Sequence, residues 1–157
     1  MKNNVVLEVV EKSIPLEVAF EFNPQFAKLF SDSPGVYTWS NFRENILEKA
    51  EPIKAGVKFQ VFSSKLVKPA NDEKIEKELP EKHLFSESEV CAVIAELIAK
   101  QPKGEDGVLD NSGYANLFYT PGWVVSVIWY LDKWVVSTWP RRDFGWGADN
   151  RVFSPAN

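Results

Sequence analysis

The stretch from Tyr114 to Trp139 constrains the fold more than any other part of the chain, because it reads as three strands joined by two tight turns. Thr120-Pro121-Gly122-Trp123 has proline and glycine where a type II turn requires them, and Leu131-Asp132-Lys133-Trp134 allows a two-residue hairpin. The strands are expected at 114–120, 123–131 and 134–139. Both faces of this meander are too apolar to meet water, so each must be covered.

The two faces of the predicted meander differ in the size of their side chains. Strand alternation places three tryptophans, Trp123, Trp129 and Trp134, on one face. The opposite face is smoother, with alanine, serine and isoleucine among its residues. We expect the main helix to lie on the smoother face, which leaves the tryptophan face for other strands, a ligand or a second subunit.

That main helix is predicted at residues 86–101. Ser86-Glu87-Ser88-Glu89 fits a capping box, in which a serine hydroxyl and a glutamate carboxylate satisfy the first backbone N–H groups. An apolar stripe of valine, isoleucine and leucine follows at helical spacing from Val90 to Ile98. Pro102 and Gly104 end the helix.

The N-terminal half gives weaker signals. Alternation predicts strands near 5–9 and at 16–22, with Leu16, Val18, Phe20 and Phe22 on one face, and the break at Ile14-Pro15 suggests a hairpin between them. The other predicted elements are a helical turn from Asn23-Pro24 to Leu29, a helix at 41–50 capped by Ser40, a strand at 57–62, and a solvated connection from Lys65 to Lys82 with a helical turn at 72–79.

These elements indicate an α+β protein. A length of 157 residues is natural for one domain spanning 1–157. We expect a mostly antiparallel sheet of about five or six strands, with the 86–101 helix packed on one face and smaller helices at the edges.

Several function classes are disfavoured by composition and motifs. The chain has one cysteine and one histidine, so no zinc cluster and no familiar nucleophile–base pair is evident, and we expect no metal, no cofactor and no catalytic residue. A net charge of −4 makes nucleic-acid binding improbable. The uncharged run Asn111 to Leu131 is long enough for a membrane helix, but Pro121-Gly122 interrupts it, so no span is expected. A lone cysteine and the lack of a secretion signal favour the cytoplasm.

The segment from Pro140 to Asn157 carries the remaining signal. It combines arginines and large aromatics, the residue types enriched at binding hot spots. The residues predicted to bind a partner are Arg141, Arg142, Phe144, Trp146 and Arg151. We therefore expect a non-catalytic protein that recognises another macromolecule, most simply a protein, as inhibitors, immunity proteins and accessory modules do.

Two alternatives stay open. One is a small-molecule binder or simple enzyme whose aromatic pocket is formed by Tyr114, Trp123, Trp129 and Trp134. The other is a homodimer that closes an apolar face. No motif is specific enough to imply a family.

Overall fold

The structure is a computed structural model that describes residues 5–23, 35–142 and 144–156. Strands outnumber helices among these residues. In chain order the elements are β1 (Leu7–Glu17), β2 (Val36–Thr38), α1 (Ser40–Asn45), a 3₁₀ turn (Leu47–Lys49), β3 (Lys58–Leu66), β4 (Ala70–Asn71), α2 (Asp72–Glu78), α3 (Glu87–Lys100), β5 (Asn116–Thr120), β6 (Trp123–Tyr130), β7 (Lys133–Pro140), β8 (Gly145–Trp146) and β9 (Arg151–Pro155).

Most strands lie in one sheet. Within the described residues it has seven strands in the order β1-β3-β9-β5-β6-β7-β2. Neighbouring strands are antiparallel except at β5–β9 and β2–β7, which run parallel. The α+β class and the mostly antiparallel sheet are confirmed, but the sheet is larger than the five or six strands expected. The additional strands, β2 and β9, pair with distant partners, and local patterns do not reveal such pairings.

The predicted meander is β5, β6 and β7. Gly122 has a φ of 88°, as the first turn requires. The second turn uses Leu131 and Asp132, with φ of 49° and 63°, and lies one residue earlier than predicted. This shift places Lys133 in β7, outside the positive-φ positions, where a lysine is easily accommodated.

The main helix is α3, and its capping box is confirmed. The Ser86 hydroxyl accepts a hydrogen bond from the Glu89 N–H (3.1 Å), and the Glu89 carboxylate accepts one from the Ser86 N–H (2.8 Å). The expectation that this helix covers the smoother face is wrong, because its buried residues pack with Trp134 and the strand residues beside it. The largest rings gain most from burial, and the longest helix provides the most apolar area to bury them.

The smoother face has a core of its own. α2 and the β4–β8 pair cover it, and Ile75 and Leu79 are buried with Leu117 and Tyr119. The helical turn predicted at 72–79 is confirmed, but the solvated character predicted for Lys65 to Lys82 is wrong. Ile75 and Leu79 lie four positions apart on one side of α2 and are buried, which the many surrounding charges obscure in the sequence.

The prediction of an N-terminal hairpin is also wrong. β1 is one continuous strand at the edge of the sheet, with irregular register between Val9 and Ile14, and it pairs with β3. Pro15 is tolerated because an edge strand does not need every N–H for the ladder. Leu16, Val18 and Phe22 are buried, but Phe20, predicted to share their face, is 85% exposed.

The segment between β1 and β3 is only partly as predicted. The helix expected at 41–50 is shorter: α1 ends at Asn45 and the 3₁₀ turn follows, and the N-cap is Trp39 instead of Ser40. The helical turn predicted from Asn23-Pro24 to Leu29 falls on residues 24–34, which lie outside the described ranges. Within those ranges no helix has the length and apolar character that a membrane crossing requires.

Candidate functional site

The segment that follows β7 returns to the sheet beside the start of α2. Residues 145–146 form β8, which pairs with β4 immediately before α2 begins. The N–H of Asp72 donates a hydrogen bond to the carbonyl of Phe144 (3.2 Å). Backbone contacts therefore hold this part of the chain against α2. We refer to residues 141–147 as the 141–147 loop.

Asp72 is the polar centre of this arrangement. Its side chain is fully buried, and one carboxylate oxygen accepts hydrogen bonds from the Tyr119 hydroxyl (2.7 Å) and the Trp146 indole N–H (2.8 Å). The other oxygen accepts the backbone N–H of Arg142 (2.8 Å). Three donors compensate the desolvation of this charge, and they join α2, β5 and the loop.

The hydroxyl of Tyr119 serves as a fixed donor in this cluster. Burial raises the pKa of Tyr119 far above its ordinary value, and the hydrogen bond to Asp72 raises it further. The phenol is therefore protonated at neutral pH and donates its hydrogen bond to the carboxylate.

Glu76, one helical turn after Asp72, holds a second cluster. Its Oε1 accepts hydrogen bonds from Nη2 and Nε of Arg141 (2.7 and 2.9 Å) and from Nε2 of His83 (2.7 Å). Burial raises the pKa of Glu76, but the hydrogen bonds and charges of Arg141 and His83 outweigh it and hold the pKa below its ordinary value. The guanidinium of Arg141 is thus committed to an internal ion pair.

His83 is bound on both sides of its ring. Nδ1 lies 3.0 Å from the carbonyl oxygen of Pro80, and Nε2 lies 2.7 Å from the Glu76 carboxylate. Both ring nitrogens are therefore engaged in contacts within the protein. His83 supports the Glu76 carboxylate and offers no free nitrogen for general-base chemistry.

The guanidinium of Arg142, in contrast, is not committed to such an internal pair. Arg142 is exposed, and its guanidinium makes no hydrogen bond or ion pair with any residue in the described ranges. Its backbone has a φ of 76°, in the left-handed region. The hydrogen bond from its N–H to Asp72 holds it there.

Three aromatic rings from the segments on either side of Arg142 pack on one another. Phe144 lies edge-on to Trp139 (4.5 Å between ring centroids) and stacks on Trp146 (5.3 Å). Trp139 is 37% exposed and Phe144 38% exposed. We call Arg142, Phe144, Trp146 and Trp139 the Arg142 surface.

Arg151 does not join this surface. It begins β9, and its Nη1 donates a hydrogen bond to the carbonyl of Val108 (2.6 Å) in the connection between α3 and β5. Of the five residues predicted to bind a partner, the structure brings Arg142, Phe144 and Trp146 together on the surface, places Arg141 inside, and locates Arg151 elsewhere.

Three of the four residues of the predicted aromatic pocket lie in or against the core that α3 covers, which we call the first core. Trp134 is fully buried, and its indole N–H donates to the carbonyl of Gln101 (2.6 Å). Trp129 packs against it (5.1 Å between centroids), and Trp123 lies against the same core. Tyr114 lies outside β5 and is 43% exposed. Trp134 is thus part of the core beneath α3, and Trp123 and Trp129 pack against that core.

The described residues contain no group of three or more histidine, cysteine, aspartate or glutamate side chains that could hold a metal ion. Burial raises the pKa of the Cys91 thiol well above its ordinary value, and the nearby charge of Glu87 raises it further, so this thiol is a poor nucleophile.

Sequence reasoning missed Asp72, Glu76 and Tyr119. A signal for the two acids did exist, because both fall on the same helical stripe as the apolar residues Ile75 and Leu79. Comparison of the chain with protein-family models, curated proteins and solved structures finds no match.

Proposed function

We propose that the protein is a non-catalytic binding protein, of the inhibitor, immunity or accessory type, that recognises another protein through the Arg142 surface. The observation that supports this most is the state of Arg142, whose exposed guanidinium has no partner in the described ranges although a buried carboxylate fixes its backbone. A left-handed conformation costs an arginine about 1–2 kcal/mol. Such strain is typical of functional positions.

The surroundings of Arg142 support the same proposal. Arginine and tryptophan are the residues most enriched among binding hot spots, because they combine large contact area with polar groups. The Arg142 surface is attached to the fold by Asp72 and by the β4–β8 pair. A loop fixed in this way loses little conformational entropy on binding, and this improves affinity.

A cytoplasmic location belongs to the same proposal. The single thiol, Cys91, is buried, and a disulfide with another cysteine of this chain is impossible. Such a protein does not need an oxidising compartment to fold.

The test begins with native mass spectrometry of the protein recovered gently from its source. A second protein chain at a fixed ratio is expected. The double variant Arg142→Ala/Phe144→Ala should then bind this chain more weakly by about 3 kcal/mol, or roughly a hundredfold in Kd, while its circular dichroism spectrum is unchanged.

A matched control is Lys103→Ala/Tyr114→Ala, which also removes one exposed cation and one exposed ring. These residues lie near the start of β5, whereas the 141–147 loop lies near its end. The control should keep the wild-type Kd, measured by isothermal titration calorimetry. Equal binding by both double variants would refute the proposal.

A further inference from the structure

The smoother face of the sheet, which α2 covers, is covered over only part of its width. α2 packs on the β5 side, where Leu117 and Tyr119 are fully buried. On the far side, β7 and β2 carry exposed aromatic side chains on the same face. Tyr37 is 54% exposed and stands beside Val135 in the parallel pairing.

The uncovered region continues beyond the end of β2. The N–H of Trp39 still donates a hydrogen bond to the carbonyl of Val136 (2.9 Å), so strand alternation places its side chain on the same side as Tyr37. Trp39 is 53% exposed. We call Tyr37, Trp39, Val135, Ser137 and Trp139 the open face.

The open face joins the Arg142 surface through a shared residue. Trp139 pairs with Val124 in the ladder, so it belongs to this face of the sheet, and its ring lies 4.5 Å from that of Phe144. Together the two regions form one exposed aromatic surface that ends at Arg142. Contiguous apolar patches of this kind mark interaction sites on soluble proteins.

The strands that form this surface contain no acidic side chain. The chain has 22 acidic residues, but β2, β6 and β7 contain none. Lys133, at the start of β7, is the single charged residue in these three strands, and it projects from the same face as Val135. The surface therefore has an uncharged aromatic centre, with Arg142 at one end and, at the other, Lys133 next to Asp132 of the β6–β7 turn.

We propose that the partner contributes an acidic, extended protein segment, whose apolar side chains lie across the open face and whose carboxylate pairs with Arg142. This inference rests on the proposed function and specifies its partner. A carboxylate can accept two parallel hydrogen bonds from a guanidinium, and this geometry favours Asp or Glu at that position. The aromatic rings between the two cations provide contact area for the apolar side chains.

The test is a selection of random linear peptides displayed on phage against the full wild-type chain. The enriched peptides are expected to combine aromatic or aliphatic residues with Asp or Glu. A parallel selection on Arg142→Glu should replace the acidic residue by Lys or Arg, because like charges in contact exclude the original peptides. Enriched peptides without an acidic residue, or no enriched peptide at all, would overturn the proposal.

The open face is tested with the best peptide from the wild-type selection. The double variant Tyr37→Ala/Trp39→Ala should weaken its binding by about tenfold or more, whereas the exposed control Tyr114→Ala should bind it with unchanged Kd. Equal affinity for the peptide in wild type and the Tyr37/Trp39 variant would also overturn the proposal. Fluorescence polarisation of a labelled peptide measures all three values.

Failure of this inference differs from failure of the proposed function. Suppose that Arg142→Ala/Phe144→Ala loses the natural partner, that Tyr37→Ala/Trp39→Ala retains it, and that the acidic peptides do not displace it from the wild-type chain. The Arg142 surface then binds a protein, and the acidic segment is wrong. If the natural partner is insensitive to both double variants, both proposals fail.

Discussion

Asp72 shows how one buried carboxylate can determine the position of a loop. Its two oxygens accept hydrogen bonds from Tyr119, Trp146 and the backbone of Arg142. Tyr119 belongs to the sheet, whereas the other two donors belong to the 141–147 loop. Removal of the charge leaves these donors buried without a suitable acceptor, which costs more than the hydrogen bonds themselves contribute.

Asp72→Asn should therefore lower the free energy of unfolding by about 3 kcal/mol. The amide keeps one acceptor oxygen but replaces the other by an NH2 group, which then faces a donor that has lost its acceptor. Urea unfolding measures this change as a shift in the midpoint at constant slope. Glu73→Gln is the control: Glu73 is the next residue, and its ion pair with Lys77 is exposed. Its effect should stay within about 0.5 kcal/mol, and similar losses in the two variants would contradict this account.

Glu76 gives stability a specific pH dependence. Its folded pKa lies below the ordinary value, because the contributions of Arg141 and His83 outweigh that of burial. The stabilisation is present in full above the unfolded pKa of about 4.3 and is lost as the pH falls through the folded pKa. Wild type should thus exceed Glu76→Gln in unfolding free energy at pH 7, and the difference should shrink below about pH 4.3. Urea midpoints measured from neutral to acidic pH check this, and a constant difference would refute it.

The connection between α3 and β5 is organised by one side chain at the scale of elements. The buried amide of Gln101 donates to the carbonyls of Glu105 (2.6 Å) and Leu109 (3.0 Å) and accepts the N–H of Leu109 (2.9 Å). Gly104 lies within this connection with a φ of 72°, and a Cβ added there would lie 2.2 Å from the Trp129 ring. The connection therefore closes over the tryptophan face of the sheet.

Gly104→Ala should be destabilising for two reasons, backbone strain and a clash with a ring that the core holds in place. The expected loss is about 3 kcal/mol. Gly56→Ala isolates the first contribution, because Gly56 has a φ of 88° and no atom within 4 Å of its added Cβ. That variant should lose about 1 kcal/mol. Thermal unfolding compares the two Tm values, and equal losses would show that Trp129 moves aside freely.

The elements that the sequence predicted correctly are those with local signals. The capping box at Ser86 and the turn at Pro121-Gly122 locate α3 and the meander, because neighbouring residues determine both. β9 and β2 were missed, since a short strand that pairs in parallel with a distant one has no local pattern. The face on which α3 packs was predicted wrongly. Both faces of the meander are apolar, and which of them binds α3 depends on where α2 packs.

The candidate site was predictable to a similar extent. Arg142, Phe144 and Trp146 are close in sequence, and the structure places them close in space. Arg151 is nearly as close in sequence but begins β9, which carries it to a different part of the sheet. The carboxylates of α2 could not be linked to the loop from sequence, because about 70 residues separate Asp72 from Arg142.

At the scale of the whole molecule, β9 determines whether the sheet is one unit. It lies between β3 and β5, antiparallel to the first and parallel to the second. Phe153 stacks on Phe118 (4.8 Å between centroids) within the first core. Residues 151–155 thereby join the N-terminal strands β1 and β3 to the meander.

A chain ending at Asn150 should therefore lose cooperative unfolding, because β1 and β3 no longer have a strand that links them to β5. Urea titration followed by tryptophan fluorescence should show a broad transition with a reduced slope. A synthetic peptide covering 148–157, added to the truncated chain, should restore a cooperative transition. A truncated chain with the midpoint and slope of the full chain would contradict the central role of β9.

The position of β9 also bears on the order of events during synthesis. β9, at residues 151–155, lies in the middle of the sheet but is synthesised last. The other strands of the sheet therefore leave the ribosome before β9 can pair with β3 and β5. During that interval β3 and β5 expose unpaired edges, which are templates for association between nascent chains. The complete native sheet can form only after residue 155 has left the ribosome, so the last strand to be synthesised is one that the middle of the sheet requires.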